Sequence, residues 1–209
     1  MEYVPGRPLT DYIKKNESLS IDQKLYIIAQ VASALAVVHK FGVLHRDVKP
    51  SNILVTESIQ AKLSDFGIAR ISDSSLTMTH EVLGSPAYMT PESFDSRRPI
   101  DNRSDIFSLG ILSYELITGT KPFQGETVGE MMAAIQHSRP KEPRKILPSI
   151  SPAVQDILGN MLQKQPEDRY QSAAKVVHAI NNLNKKSEET DTRSLRFFRN
   201  ILTSNKVWE

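Results

Sequence analysis

Long stretches with apolar residues at helical spacing alternate along this chain with short apolar runs broken by polar turns. Between Ser20 and Lys40, Leu25, Ile28, Val31, Ala32, Leu35 and Val38 recur every three or four residues, the pattern of one buried helix face. Ser20 and Gln23 have the spacing of a capping box, and Gly42 follows as a stop. A shorter helix is predicted over residues 9–15, with Thr10 as its cap. Ile53-Leu54-Val55 and Ala61-Lys62-Leu63 flank a polar stretch from Thr56 to Gln60, which reads as two short strands and a turn. From Asp101 to Gly119, Ile106, Leu109, Ile111, Leu112, Leu116 and Ile117 leave little polar face, so this helix is buried on most sides. A turn at Pro122 follows. Glu126 to Gln136 is amphipathic, and its face with Met131, Met132 and Ile135 packs into a core or meets a partner. Arg139 to Pro148 is a Pro- and Lys-rich connection. Ser151-Pro152 opens another helix through Val154, Ile157, Leu158, Met161 and Leu162, and a last one runs from Ser172 to Leu183. Together these predict an α+β fold, mainly helical, with one short β-hairpin.

The hairpin changes the picture because of what it carries. His45-Arg46-Asp47-Val48-Lys49-Pro50-Ser51-Asn52 precedes its first strand, and Asp65-Phe66-Gly67 follows its second. The pairing would bring Asn52 and Asp65 to neighbouring strand ends. Two hard oxygen donors there suit Mg²⁺, which takes few protein ligands and keeps substrate phosphates as the rest. Asp47 would be free to receive a proton or orient a hydroxyl. Asp105, a charge at the start of a buried helix, must be paired or hydrogen-bonded. His39, near a helix C-terminus, reads as a cap or a partner for nearby carbonyls.

Composition narrows the class. With 209 residues, 39% hydrophobic and 24% charged, the chain is long enough for one substantial core. A net charge of +2 is too small to argue for nucleic acid. The absence of cysteine excludes disulfides and thiolate metal sites and fits a reducing compartment, so a cytoplasmic location is expected. No apolar run is read as approaching the ~20 residues that span a bilayer, and Met1-Glu2-Tyr3-Val4 has neither the basic start nor the apolar stretch of a signal peptide.

The loop His45-Arg46-Asp47 to Asn52, with Asp65-Phe66-Gly67 after it, closely resembles the catalytic loop and metal-binding triplet of protein kinases. Lys49, two residues after Asp47, is the serine/threonine form, and the chain looks closest to the bacterial serine/threonine kinases. The resemblance runs from Met1 to about Leu183. It implies a kinase-like C-lobe and a hinge at Glu2-Tyr3-Val4, where backbone groups of Glu2 and Val4 would bond the adenine edge of ATP. Leu54 would pack beneath the adenine. Asp47 would orient the substrate hydroxyl, Lys49 would neutralise the transferring phosphoryl group, and Asn52 and Asp65 would hold Mg²⁺. His45 and Phe66 would belong to an apolar stack. Residues 68–92 resemble an activation segment ending in Thr90-Pro91-Glu92, where the family usually has Ala for Thr90. Thr77 and Thr79 are its phosphoacceptor candidates, with Arg46 supplying the charge that orders a phosphorylated loop; the alternative is that these hydroxyls only solubilise the loop. Ser85 would bond Asp47 and Lys49. Asp105 would hold the backbone of the catalytic loop, and Arg169 would pair with Glu92.

The sequence departs from the family in one respect. The Gly-rich loop, strand lysine and helix glutamate that kinases carry ahead of the hinge do not occur. A start assigned at an internal methionine is one expectation. A half-kinase completed by an N-lobe or homologous kinase chain is another, and a non-catalytic interaction module a third. The partners expected otherwise are protein substrates. The organisation expected is a kinase domain over 1–183 and a polar linker and basic tail over 184–209. In that tail Leu195, Phe198, Ile201 and Leu202 could form one helix face beside Arg193, Arg196 and Arg199. It could touch an acidic membrane, dock on the lobe or stay disordered, but one short helix with few basic residues is not a stable anchor.

Overall fold

The computed structural model describes residues 5–14, 19–65, 86–95 and 97–188. Three short strands, β1 (Gly6–Pro8), β2 (Ile53–Thr56) and β3 (Ala61–Leu63), form an antiparallel sheet in that order. The hairpin β2–β3 pairs Ile53 with Leu63 and Val55 with Ala61. Strand β1, which sequence pattern reads only as an extended piece, pairs Gly6 with Thr56 and Pro8 with Leu54. Three residues with two prolines nearby carry no alternation, so only the partner strand reveals it. In β2, Ile53 and Val55 are buried while Leu54 and Thr56 face the other way, the period-two alternation of a sheet with one covered face.

Among the described residues there are seven α-helices: α1 (Leu9–Lys14), α2 (Ile21–Lys40), α3 (Asn102–Thr118), α4 (Val128–His137), α5 (Pro143–Ile146), α6 (Pro152–Met161) and α7 (Ala173–Glu188). Helix α1 begins at Leu9, so Thr10 lies within its first turn and is not its cap. Helix α2 is capped as its sequence predicts: the Ser20 hydroxyl accepts from the Gln23 amide at 3.1 Å, and the Gln23 side chain accepts from the Ser20 amide at 2.9 Å. Gly42 adopts φ 71° just past its end, a conformation that costs a residue without Cβ little. Short α5 falls where a plain connection was expected. Helix α4 starts two residues after the predicted boundary, with the Thr127 hydroxyl as its cap. Helix α7 continues to Glu188, past the expected end at Leu183.

By length and mean hydropathy, 1.4 over its apolar window, α2 is long and apolar enough to cross a membrane, contrary to the sequence reading of its run. Its buried residues Leu25, Ile27, Ile28, Val31, Ala32 and Leu35 belong instead to the main core, packed on α3 and α7. Helices α2 and α3 run antiparallel: Lys24 Nζ donates to the Ile117 carbonyl at one end, and His39 meets Asp105 at the other. From Ser104 to Ile117 only Glu115 of α3 is not buried, so α3 is the central rod. A second cluster, Phe107, Ile111, Tyr114, Phe123, Ile135 and Leu162, joins α3 to α4 and α6.

Where α3 crosses α6 the helices come close because residue 110 has no side chain. A Cβ at Gly110 would lie 2.8 Å from Met161 Cβ and 3.1 Å from Leu162 Cδ2. Gly110→Ala should therefore force the helices apart and destabilise the chain by about 1–3 kcal/mol. This is read as a lower denaturation midpoint at unchanged m-value.

Candidate active site

The site sits where the end of α2, the start of α3 and the hairpin converge. Residues 43–49 form no regular element, yet their backbone is held on α3. Asp105 Oδ2 accepts from the His45 amide at 2.8 Å, and Oδ1 accepts from the Arg46 amide at 2.8 Å. His39 Nε2 lies 2.7 Å from the same Oδ2. His39 thus partners a carboxylate, not the helix-end carbonyls anticipated for it, because α3 places Asp105 beside the last turn of α2. The Asp105 side chain is 3% exposed, and a carboxylate so far from water is tolerated because several donors surround it. Arg46 has φ 63°, a left-handed conformation that a side chain makes costly. The two amide bonds to Asp105 hold the chain in it.

His45 is fully buried. Its Nδ1 accepts from the Asp47 amide at 3.3 Å, and its Nε2 lies 3.0 Å from the Ser64 carbonyl. The first bond makes Nδ1 the acceptor, so Nε2 carries the proton and donates to Ser64. Burial pushes the His45 pKa down, against the raising effects of the Ser64 carbonyl and the charges of Asp105, Asp47 and Asp65. The ring is therefore neutral at neutral pH and ties the loop of residues 43–49 to the end of β3.

That loop turns through Pro50–Asn52, a single 3₁₀ turn, into β2. Lys49 Nζ sits 2.7 Å from Asp47 Oδ2. Asn52 Nδ2 donates to the Asp47 backbone carbonyl at 2.9 Å and to Asp47 Oδ2 at 3.0 Å. Asp47, Lys49 and Asn52 form one hydrogen-bonded group. Using its amide nitrogen this way leaves the Asn52 side-chain oxygen with a 3.3 Å contact from the Ser51 hydroxyl. The Ser64 amide donates to the Asn52 carbonyl at 2.9 Å, extending the hairpin by one rung. Asp65, next along, is exposed and has φ 57°. The Asn52 amide oxygen and the Asp65 carboxylate are a hard-oxygen pair of the type that takes Mg²⁺ together with phosphate oxygens. Leu54 shows its half-exposed side chain on the face of β2 away from the core.

Sequence reasoning left out three supports. Gln30 on α2 grips the hairpin turn: its Nε2 donates to the Ile59 carbonyl at 3.0 Å and its Oε1 accepts from the Ala61 amide at 3.0 Å. Ile59 has φ 61°, an unusual conformation for a β-branched residue. Ser64 bonds the Asn52 carbonyl through its hydroxyl at 3.2 Å. Ser104 donates to Glu92 at 2.6 Å. A polar residue on a helix face carries no local sign of such a distant partner. Glu2, Val4, Phe66, Thr77, Thr79, Ser85 and the tail face around Leu195 lie outside the described residues.

A second polar assembly braces the segment beyond the site. Two 3₁₀ turns, Pro86–Tyr88 and Pro91–Phe94, lie against α4. Arg169 donates from two nitrogens to the two Glu92 oxygens, each at 2.8 Å, and both side chains are almost completely buried. The guanidinium also donates to the carbonyls of Gln163, Arg103 and Lys164, so its donors are satisfied as a buried charge requires. Tyr88 donates to Glu115 and its backbone carbonyl accepts from the Ser108 hydroxyl at 2.8 Å, which fastens the same segment to α3. Burial alone would push the Glu92 carboxyl up, but the Arg169 bonds and charge and the Ser104 hydroxyl together bring its pKa below the ordinary 4.5.

Two outcomes follow from these carboxylates. Asp105→Ala orphans the buried His45 amide and the partly buried Arg46 amide and should cost about 1–4 kcal/mol of stability, with exchange at the His45 and Arg46 amides accelerating beyond that of α2. For Glu92 the sign follows from the depressed pKa: its contribution is present above pH 4.5 and is lost as pH falls through the lower folded value. Melting temperature measured from pH 3 to 6 should therefore fall less steeply on acidification in Glu92→Gln than in wild type.

Comparison with known proteins identifies the family. The family described as protein kinase domain matches residues 1–180. The chain is 39% identical over 188 residues to a probable serine/threonine-protein kinase of Clostridium perfringens, covering 88% of this chain and 27% of that protein. It is 36% identical over 186 residues to the serine/threonine-protein kinase Pkn1 of Myxococcus xanthus, covering 86% and 26%. It is 36% identical over 181 residues to the serine/threonine-protein kinase PknA of Mycobacterium tuberculosis, covering 86% and 41%. The chain thus spans between about a quarter and two-fifths of the length of these relatives. With a mainly helical body, a small antiparallel sheet and a match over most of its length, the chain belongs to the protein kinase domain family.

Proposed function

We propose that this chain provides the hinge and C-lobe of a serine/threonine protein kinase over residues 1–183, and transfers the γ-phosphoryl group of ATP to serine or threonine hydroxyls of proteins. The observation that carries the reading is the Asp47–Lys49–Asn52 group, assembled within 3.0 Å on a loop whose backbone is bonded to Asp105. Phosphoryl transfer asks for positioning and charge neutralisation more than for covalent help, and this group offers both. Asp47 orients the attacking hydroxyl and takes its proton as the oxygen bonds to phosphorus and the ADP oxygen departs. Lys49 balances negative charge on the phosphoryl oxygens. Asn52 and Asp65 would hold Mg²⁺, which when bound neutralises the phosphates. Leu54 offers an apolar surface to the adenine, whose edge the Glu2 and Val4 backbones would bond.

The family implies protein substrates, and the turns at Pro86–Tyr88 and Pro91–Phe94 are the surface proposed to receive them; the resemblance would have Ser85 bond Asp47 and Lys49. Phosphorylation of Thr77 or Thr79 would be read by Arg46, which is exposed next to the catalytic acid. Because ATP is a cytoplasmic substrate, the lobe is placed in the cytoplasm. Residues 184–209 are proposed as a polar linker and basic tail, with α7 extending into the linker as far as Glu188.

The test is transfer of ³²P from ATP to dephosphorylated casein in the presence of Mg²⁺. Asp47→Asn keeps the size of the side chain and removes the proton acceptor, so transfer should fall by about 10²–10⁴-fold with the melting temperature nearly unchanged. Equal transfer by wild type and Asp47→Asn would sink the assignment.

A further inference from the structure

Helix α4 is poorly anchored by its own apolar side chains. Of its ten residues only Ile135 is fully buried, with Met131 and Ala134 partly covered. A helix of this length is held in proteins by its packed face, and this one has little. It nevertheless lies against both turns of the 86–94 segment. Its C-terminal carbonyls, like those of any helix, lack partners within the helix.

The Ala134 carbonyl already accepts from the Ser138 amide at 3.0 Å, and Lys164, in the connection after α6, supplies a partner for the next. Its ammonium donates to the Ile135 carbonyl and lies 3.5 Å from that of Ala134. A cation in that place also meets the negative end of the helix dipole. The same ammonium stands 3.7 Å above the Phe123 ring centroid and 5.6 Å from that of Phe107. Phe123 and Phe107 are parallel, with centroids 6.0 Å apart, and the Arg169 guanidinium lies 4.7 Å from the Phe107 ring. Arg169 in turn bonds the Lys164 carbonyl at 3.1 Å and Glu92 at 2.8 Å. One continuous path therefore runs from the end of α4 through Lys164 and two aromatic rings to the buried pair under the 86–94 segment. Burial, and to a smaller extent the charge of Arg169, lower the Lys164 pKa to about 8, so the side chain remains mainly charged at neutral pH.

We infer that Lys164 is a positioning residue for the protein-substrate surface: it locks α4 to the Glu92–Arg169 brace, and α4 in turn sets the turns at Pro86–Tyr88 and Pro91–Phe94. This rests on the kinase reading for its consequence, but not for its geometry. Lys164 touches neither nucleotide nor the reacting atoms, so its loss acts on docking of the protein substrate and leaves the phosphoryl-transfer group as it was.

Two measurements on the full chain test it, with Lys164→Met, which keeps the apolar stem, and Lys164→Arg, which keeps a cation able to donate to carbonyls. In hydrogen exchange, Lys164→Met should speed exchange at residues 131–138 by about tenfold while α2 and α3 stay within about twofold of wild type. Lys164→Arg should restore most of the protection. In transfer from ATP to dephosphorylated casein, Lys164→Met should raise the casein KM by about three- to tenfold with kcat and the ATP KM nearly unchanged. Unchanged protection in α4, or a loss spread evenly over α2, α3 and α4, would overturn the lock. Loosening of α4 with an unaltered casein KM would overturn the positioning role. If wild type transfers no phosphate, the kinase reading and the docking consequence fall together, while the exchange result decides the lock by itself.

Discussion

Everything at the site depends on one carboxylate. Asp105 sits inside the first turn of the most buried helix, away from water, and accepts from two consecutive amides of a loop far from it in sequence. Neither partner is stable without the other. A buried carboxylate without donors is costly, and a loop with Arg46 in a left-handed conformation would relax without the acceptors. The cost of one is offset by the other, and the rigid rod transmits its position to the loop. His39 adds a third donor from the neighbouring helix, so the loop is fixed relative to two helices at once. With the backbone held, the bonds among Asp47, Lys49 and Asn52 become a matter of short local geometry.

Helix α3 also carries the second assembly. Ser104 on one side and the Arg103 carbonyl on the other take part in holding Glu92 and Arg169, while Ser108 and Glu115 hold Tyr88. One buried helix therefore positions residues 45–46 through Asp105 in its first turn, and the 86–94 segment through Ser104, Ser108 and Glu115 along its length. This explains why Ser104, Asp105 and Ser108 are buried among isoleucines and leucines: they are the polar contacts that a purely apolar rod could not make. A buried ion pair of the Glu92–Arg169 kind adds less to stability than its geometry suggests, since both charges lose water. Its value lies in fixing one arrangement of the segments it joins.

Local chemistry was legible wherever a short stretch contains both partners. The Ser20–Gln23 capping box, the stop at Gly42, the strands over Ile53–Val55 (to which the structure adds Thr56) and Ala61–Leu63 and the helix starts at Asp101 and Ser151 are all read from neighbours within four residues. The motif from His45 to Asn52 was legible for the same reason. What was not legible is long-range. Strand β1 exists because Gly6 to Pro8 lie beside β2, and Gln30 matters because the hairpin turn happens to pass it. Thr10, by residue type a cap, is inside α1 because β1 delivers the chain into the helix one residue earlier. His39 has the look of a helix cap, and Lys164 that of an ordinary surface lysine, until the neighbours are in place.

The sequence by itself determined most of the helical and strand content, the core faces and the family resemblance, because these rest on periodicity and on motifs a few residues long. Only the tertiary structure decided which polar groups meet. Asp105 lies about sixty residues from the amides it holds, and Arg169 lies 77 residues from Glu92. Pairings of that separation leave no periodic trace along the chain. They follow from how α3 threads between α2, α6 and α7, and from the need of each buried charge and amide for a partner once water is excluded.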